Sequence, residues 1–331
     1  MKTLGVLLLA ALAASVAWPG ERTRRPTPRI KPSFDAAAVN DPQNRDPVLP
    51  DSAGAAVARL QILLDRAHFS PGEIDGHYGD NLRRALIGYQ GVHSKEQTGI
   101  GDADTWQLLN ADTAPMLVSY TITESDVAGP FEPIPSDIMK QAKLKALGYQ
   151  SAQEELGERF HINPALLAAL NPDKDLSKAG EQISVPNIQR EYTVPAALVV
   201  VSKSNRTVSA IAADNTILAQ YPATIGSVHD PLPIGEWKIT SVQHNPVFHY
   251  NPNLFWDAKP ENAKATIPSG PNNPVGVVWM GLSKEHYGIH GSPEPSKIGH
   301  TESHGCIRLT NWDAIELAKM VKAGVRAILE E

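Results

Sequence analysis

The spacing of apolar residues changes along this 331-residue chain, which argues against a single helical bundle. Val57, Leu60, Leu63 and Leu64 fall on one stripe of a helix. Beyond residue 194 the pattern becomes short strand-like runs between turns: Leu198 to Val201, Thr207 to Ile211, Trp237 to Val242 and Val277 to Met280. The length suits two or three domains. The 27 prolines favour linkers or long loops between them. Apolar residues make up 42% of the chain, which excludes disorder throughout, and the net charge of -6 argues against a dedicated nucleic-acid binder.

Read in order, the chain predicts five segments. Lys2, the apolar run Leu4 to Val16 and the small residues Ser15-Val16-Ala17 predict a signal peptide over 1–17. That run is shorter than the roughly 20 residues a spanning helix needs, so no membrane span is expected once it is cleaved. Residues 18–50 carry seven prolines, scattered charge and no apolar period, which predicts a solvated linker. A small helical domain is expected over 54–112, with further helices from about Asn81 to Gln90 and Asp102 to Leu109, and Trp106 and Leu109 in its core. Over 118–188, a strand from Val118 to Thr123, helices at Glu154 to Phe160 and Pro164 to Leu170, and a closing strand at Gln182 to Val185 predict a mixed α+β module. The last segment, 194–331, should be mainly β. Its Thr310-Asn311-Trp312-Asp313 helix start is followed by a C-terminal cap at Gly324 and a last strand from Val325 to Leu329.

The chain has one cysteine, Cys306, so no internal disulfide can form. In an exported chain an odd thiol is a candidate reactive group, against the alternative of a small buried hydrophobe. Its context is Tyr287-Gly288-Ile289-His290-Gly291, then Ser303-His304-Gly305-Cys306-Ile307-Arg308-Leu309. A thiol becomes a strong nucleophile when an imidazole takes its proton, and the same imidazole can return that proton to a leaving amine. His290 and Cys306 each sit at the end of a short apolar run, which suits neighbouring strands.

Three resemblances follow from these residues. Ile74-Asp75-Gly76-His77-Tyr78-Gly79, with Tyr89-Gln90 ending a helix, resembles the peptidoglycan-binding domain-1 family. Ala165 to Pro172 followed by Gly180 to Pro186 resembles a LysM glycan-binding module, departing from it in a long proline-bearing stretch before the first helix. His290-Gly291, eleven residues, then Ser303-His304-Gly305-Cys306-Ile307-Arg308 resembles the catalytic signature of the YkuD-type L,D-transpeptidases, supported by Pro231-x-Pro233-x-Gly235 and Asn311-Trp312-Asp313-Ala314.

The last resemblance implies a β-sandwich-like catalytic domain and a role for each motif residue. Cys306 is the nucleophile, His290 the base and then the acid, and the Gly291 carbonyl the group that orients the imidazole. N–H groups near Gly305 and Cys306 form an oxyanion hole, and Ser303, His304 and Arg308 belong to the same oxyanion and substrate region. Arg308 suits a substrate carboxylate or a structural ion pair. His304 suits the orienting of the loop. Tyr287 and Trp279 suit either a cleft wall or the core, and Asn251 to Pro274 either a lid or a surface flap. No cofactor and no metal are expected. A metal hydrolase built on His290, His300, His304 and Cys306 is disfavoured because Gly299 and Gly305 argue against a helix there.

The expected whole is an exported multidomain protein, periplasmic or wall-associated, with a small all-α module, an α+β LysM-like module and a mainly-β catalytic domain. It would act on peptidoglycan stem peptides and glycan. The acceptor could be a second stem, a free D-amino acid, an outer-membrane lipoprotein or water. Water would make it an L,D-carboxypeptidase. The rival class is a non-catalytic wall-binding protein.

Overall fold

A one-turn helix, α1 (Ala36–Asn40), opens the described chain, with the Asp35 carboxylate accepting the Ala37 N–H at its start. The computed structural model describes residues 34–188 and 194–331, all within one unit spanning Pro32–Glu331. The expected signal segment 1–17 and the start of the expected linker lie outside the described residues. The rest of that linker differs from expectation. Val39 and Val48 are buried, Val48 bridges to Gly101, and the Trp106 indole donates to the Asp46 carbonyl at 3.1 Å. Two lone valines have no period to reveal them, yet each fills a gap against the helices behind.

Those helices are α2 (Ala55–Arg66), α3 (Asp80–Val92) and α4 (Ala103–Leu109). Val57, Leu60, Leu63 and Leu64 are fully buried on α2, as the stripe predicts. Gln61, also buried there, holds the Asp75-Gly76 loop: its Oε1 accepts the Gly76 N–H at 2.7 Å and its Nε2 donates to Asp75 at 2.7 Å. An apolar residue in its place would strand those groups, at about 1–3 kcal/mol each.

The next region has β1 (Leu117–Thr121), α5 (Ile138–Gln141), α6 (Ala152–Arg159), α7 (Pro164–Leu170) and β2 (Gln182–Pro186). The two strands pair antiparallel, Leu117 opposite Pro186 and Thr121 opposite Gln182. Ser151 caps α6 and Asn163 caps α7, with Pro164 in the first turn. Leu156, Leu167 and Val185 from here join Leu60, Leu64 and Trp106 of the helical module in one apolar core. The two regions, distinct in sequence pattern, are packed as one body.

The C-terminal region is a single nine-stranded sheet in the order β5-β4-β3-β13-β7-β10-β11-β12-β6. Its strands are β3 (Leu198–Ser202), β4 (Thr207–Ile211), β5 (Ile217–Pro222), β6 (Thr224–Ile225), β7 (Gly235–His244), β10 (Val278–Leu282), β11 (Gly288–His290), β12 (Ile307–Arg308) and β13 (Arg326–Glu330). A separate hairpin pairs β8 (Phe248–Tyr250) with β9 (Ala265–Ile267). The domain is mainly β, as expected, but its sandwich-like aspect comes from one sheet rather than two. The ten-residue β7 pairs with β13 on one side and β10 on the other, and both halves feed one core that includes Val208, Tyr221, Met280 and Ile307.

One helix, α8 (Asn311–Met320), packs into that core through Ala314 and Leu317. Thr310 caps it, its hydroxyl accepting the Asp313 N–H at 3.1 Å. The helix stops at Met320, short of the expected cap; Gly324 instead takes φ +96 in the turn before β13. Both accessory regions meet α8. The Ser70 hydroxyl donates to Asp313 at 3.0 Å, and His161 stacks on Trp312 at 5.1 Å.

Candidate active site

Parallel pairing brings the two motif segments together. β11 and β12 align with Ile289 opposite Ile307 and His290 opposite Arg308. Cys306, one residue before β12, therefore lies beside the start of β11, with its Sγ 3.6 Å from the His286 carbonyl. His290 and Cys306 line one cleft of about 990 Å³, shared with Tyr287, Trp279, His304 and Arg308.

His290 is buried and its Nδ1 lies 2.7 Å from the Gly291 carbonyl. A carbonyl only accepts, so Nδ1 carries the hydrogen and Nε2 keeps its lone pair for an incoming proton. Trp279, the cross-strand partner of His290 on β10, stacks on the ring at 5.3 Å. Burial, helped by the Arg308 charge, pushes the imidazole down to about 3, although the Gly291 and Val275 backbone bonds oppose this. Burial pushes the Cys306 thiol up, against the Gly288 backbone and the Arg308 charge. At neutral pH the resting pair is an uncharged thiol beside an uncharged imidazole.

The loop before Cys306 is tightly fixed. Gly305 has φ +94, and a Cβ there would meet the Tyr287 ring at 2.8 Å. The buried Ser303 hydroxyl donates to the Cys306 carbonyl at 2.6 Å, and the Ser303 N–H donates to Gly226. Among the described residues, the N–H groups of Gly305 and Cys306 have no backbone acceptor. His304 is held by the 251–274 stretch: its Nε2 meets Asp257 at 2.9 Å, and the rings of Phe255 and Trp256 lie against it. Arg308 lines the cleft with no ion pair among the described residues, and its buried Nε lacks a partner there.

Asp257, Phe255 and Trp256 belong to the Asn251–Pro274 stretch, which forms one wall of the cleft. The sequence marks that stretch by its length and aromatics, but carries no sign of the Asp257–His304 contact. A small core beneath it joins Tyr250 and Ile267 to Leu147, Ile138 and Met139 from the proline-bearing stretch around α5. Among the described residues, no three His, Cys, Asp or Glu side chains converge as a metal cage requires.

Residues 196–329 match the YkuD family model, described as "L,D-transpeptidase catalytic domain". Residues 53–109 match the model described as "Putative peptidoglycan binding domain". The chain is 33% identical over 171 residues to "Putative L,D-transpeptidase YkuD" of Bacillus subtilis (strain 168), covering 51% of this chain and 88% of that protein. The chain belongs to the YkuD family of L,D-transpeptidases. It is also 26% identical over 219 residues to "Probable L,D-transpeptidase YbiS" of Escherichia coli (strain K12), covering 63% of this chain and 71% of that protein. The YkuD match begins just before β3 and ends within β13, so it takes in the whole nine-stranded sheet and α8.

Proposed function

We propose that this protein is an exported cysteine L,D-transpeptidase of peptidoglycan. The observation that carries this reading is that His290 and Cys306, brought in by the parallel neighbours β11 and β12, line one cleft, with Nδ1 engaged by Gly291. Cys306 Sγ attacks the carbonyl that joins the diamino acid at stem position three to D-Ala. The S–C bond forms as the thiol proton passes to His290 Nε2. The C–N bond then breaks, and the imidazolium gives that proton to the departing D-Ala amine. An amine of a second stem attacks the thioester, and its proton returns through His290 to the thiolate.

In this scheme the Gly305 and Cys306 N–H groups receive the oxyanion. Ser303 shapes the turn that presents them, His304 fixes the loop through Asp257, and Arg308 pairs with a stem carboxylate. The 53–109 module would hold the wall. The antiparallel β1–β2 pair with α6 and α7 between them supports a LysM-like reading of 118–188. Export rests on the 1–17 segment and places the enzyme in the periplasm or at the wall.

Mass spectrometry of tetrapeptide-bearing muropeptides after incubation with purified protein tests the reading. The expected result is loss of D-Ala with joined stems, the 3→3 cross-link. Loss without joining assigns water as acceptor, and joining only when a lipoprotein lysine is supplied assigns that acceptor. No loss of D-Ala overturns the proposal.

The uncharged pair also sets a pH dependence. A base is active when unprotonated, and His290 is depressed to about 3, so it stays active far below an ordinary imidazole. Single-turnover D-Ala release should vary by no more than about twofold between about pH 5 and 8. An acid limb centred between about pH 6 and 7, where an ordinary histidine titrates, would contradict the depressed value.

A further inference from the structure

Asn311, the first residue of α8, makes contacts in two directions. Its Oδ1 accepts the Val277 N–H at 3.1 Å. The same oxygen presses on the backbone of Gly276 and Gly291 so closely that a Cβ at either glycine would overlap it. Its Nδ2 donates to both carboxyl oxygens of Glu158, at 2.9 and 3.1 Å, and to the Pro271 carbonyl at 3.1 Å. Glu158 lies on α6, 153 residues earlier in the chain and outside the catalytic domain. Gly291 is the residue whose carbonyl takes the Nδ1 hydrogen of His290. A path of direct contacts therefore runs from α6 to the imidazole.

An asparagine amide has an acceptor end and a donor end, and its orientation is set by what each end meets. Here Oδ1 is needed against Val277 and Gly291. Glu158 supplies the acceptor that keeps Nδ2 on the opposite side. The segment before β10 is gripped by the same region at further points. Asn272 Nδ2 donates to the Gly148 carbonyl at 2.9 Å and to Glu154 at 2.7 Å, and the Leu147 N–H donates to Ser269 at 2.9 Å.

We infer that Glu158 is a positioning residue for the reaction: through Asn311 it fixes the Gly291 carbonyl and hence the ring of His290, making the α6 region part of the catalytic apparatus. The inference rests on His290 being the base. A ring turned by a small angle points its lone pair away from the thiol, which lowers turnover without altering where the stem binds.

Glu158 is suited to the task because both of its carboxyl oxygens accept from Asn311. Burial raises its carboxyl to about 8; Glu154 and Glu73 act in the same direction, while the bonds from Asn311 and Tyr149 oppose. These four residues are the polar groups that face it, from α6 itself, the helical module, α8 and the turn before α6. The Asn311 N–H favours the ionised carboxyl, so its bond to Glu158 does not weaken as pH rises.

The test uses the full chain, with D-Ala release from a stem tetrapeptide followed to give kcat and KM. Glu158→Ala should lower kcat at least about tenfold with KM within about twofold. Glu158→Gln, whose amide oxygen still accepts from Asn311, should stay within about threefold of wild type at pH 7. Where thermal melting shows that the alanine variant does not fold, Glu158→Met, which fills similar space without an acceptor for Asn311, takes its place. The inference is overturned if Glu158→Ala keeps kcat within about threefold, or if Glu158→Gln falls as far as alanine. Cys306→Ala and His290→Gln run beside these variants. A rate within about threefold of wild type in either removes the nucleophile–base reading itself, whereas the expected losses in both with Glu158→Ala still within about threefold remove only the α6 coupling.

Discussion

Replacing Cys306 with alanine is expected to give a folded protein whose D-Ala release falls at least about 10⁴-fold, to the background of the assay. No other cysteine can substitute, since the chain has only this one. The expected change in stability is small, within about 1 kcal/mol, because the side chain is half-buried at the cleft rather than in the core. Removing a thiol that burial already disfavours in its charged form strands no charge. Thermal melting read beside turnover separates the two effects. An alanine variant that turns over stem peptide at the wild-type rate would end the nucleophile assignment.

His290→Gln should slow acylation by about 10² to 10⁴, the contribution of a positioned acid–base group. Glutamine is chosen because its amide can still donate to the Gly291 carbonyl while offering no basic nitrogen. A rate within about threefold of wild type would pass the proton to another group, and His304 would be the next to examine. Stability should change with pH in a defined way. The folded imidazole, at about 3, lies below its unfolded value near 6.5. The neutral ring therefore contributes stability that is present above about pH 6.5 and lost as pH falls toward 3. The glutamine variant has no such group, so its melting temperature should fall less steeply across that window.

Much of this architecture is written locally. The α2 stripe, the Thr310 cap and the branched residues of β3, β4 and β13 declare their elements because burial on one face imposes a period. The sites of His290 and Cys306 are legible because the motif concentrates glycines beside both. What could not be read is what only long-range pairing creates. β6 and β12 are two residues each, too short to carry a period, and exist because each finds a partner across the sheet. Val39 and Val48 read as linker for the same reason. The Asp257–His304 contact spans 47 residues, and Glu158 and Asn311 lie in regions the sequence separates. An acidic residue on an amphipathic helix reads as solvated face, and nothing local says that this one is covered.

Three consecutive residues at the start of α8 are each held from outside the catalytic domain: Asn311 by Glu158, Trp312 by His161 and Asp313 by Ser70. A wall enzyme whose binding part hung on a loose tether would sample many distances, and its encounter with stems would depend on tether length. A seam knitted at successive residues restrains such a search. A glycan strand held by the helical module would meet the Cys306 cleft at one separation and one angle. The chain would then work as a gauge, and the spacing of stems along the strand, more than their abundance, would decide which of them come within reach.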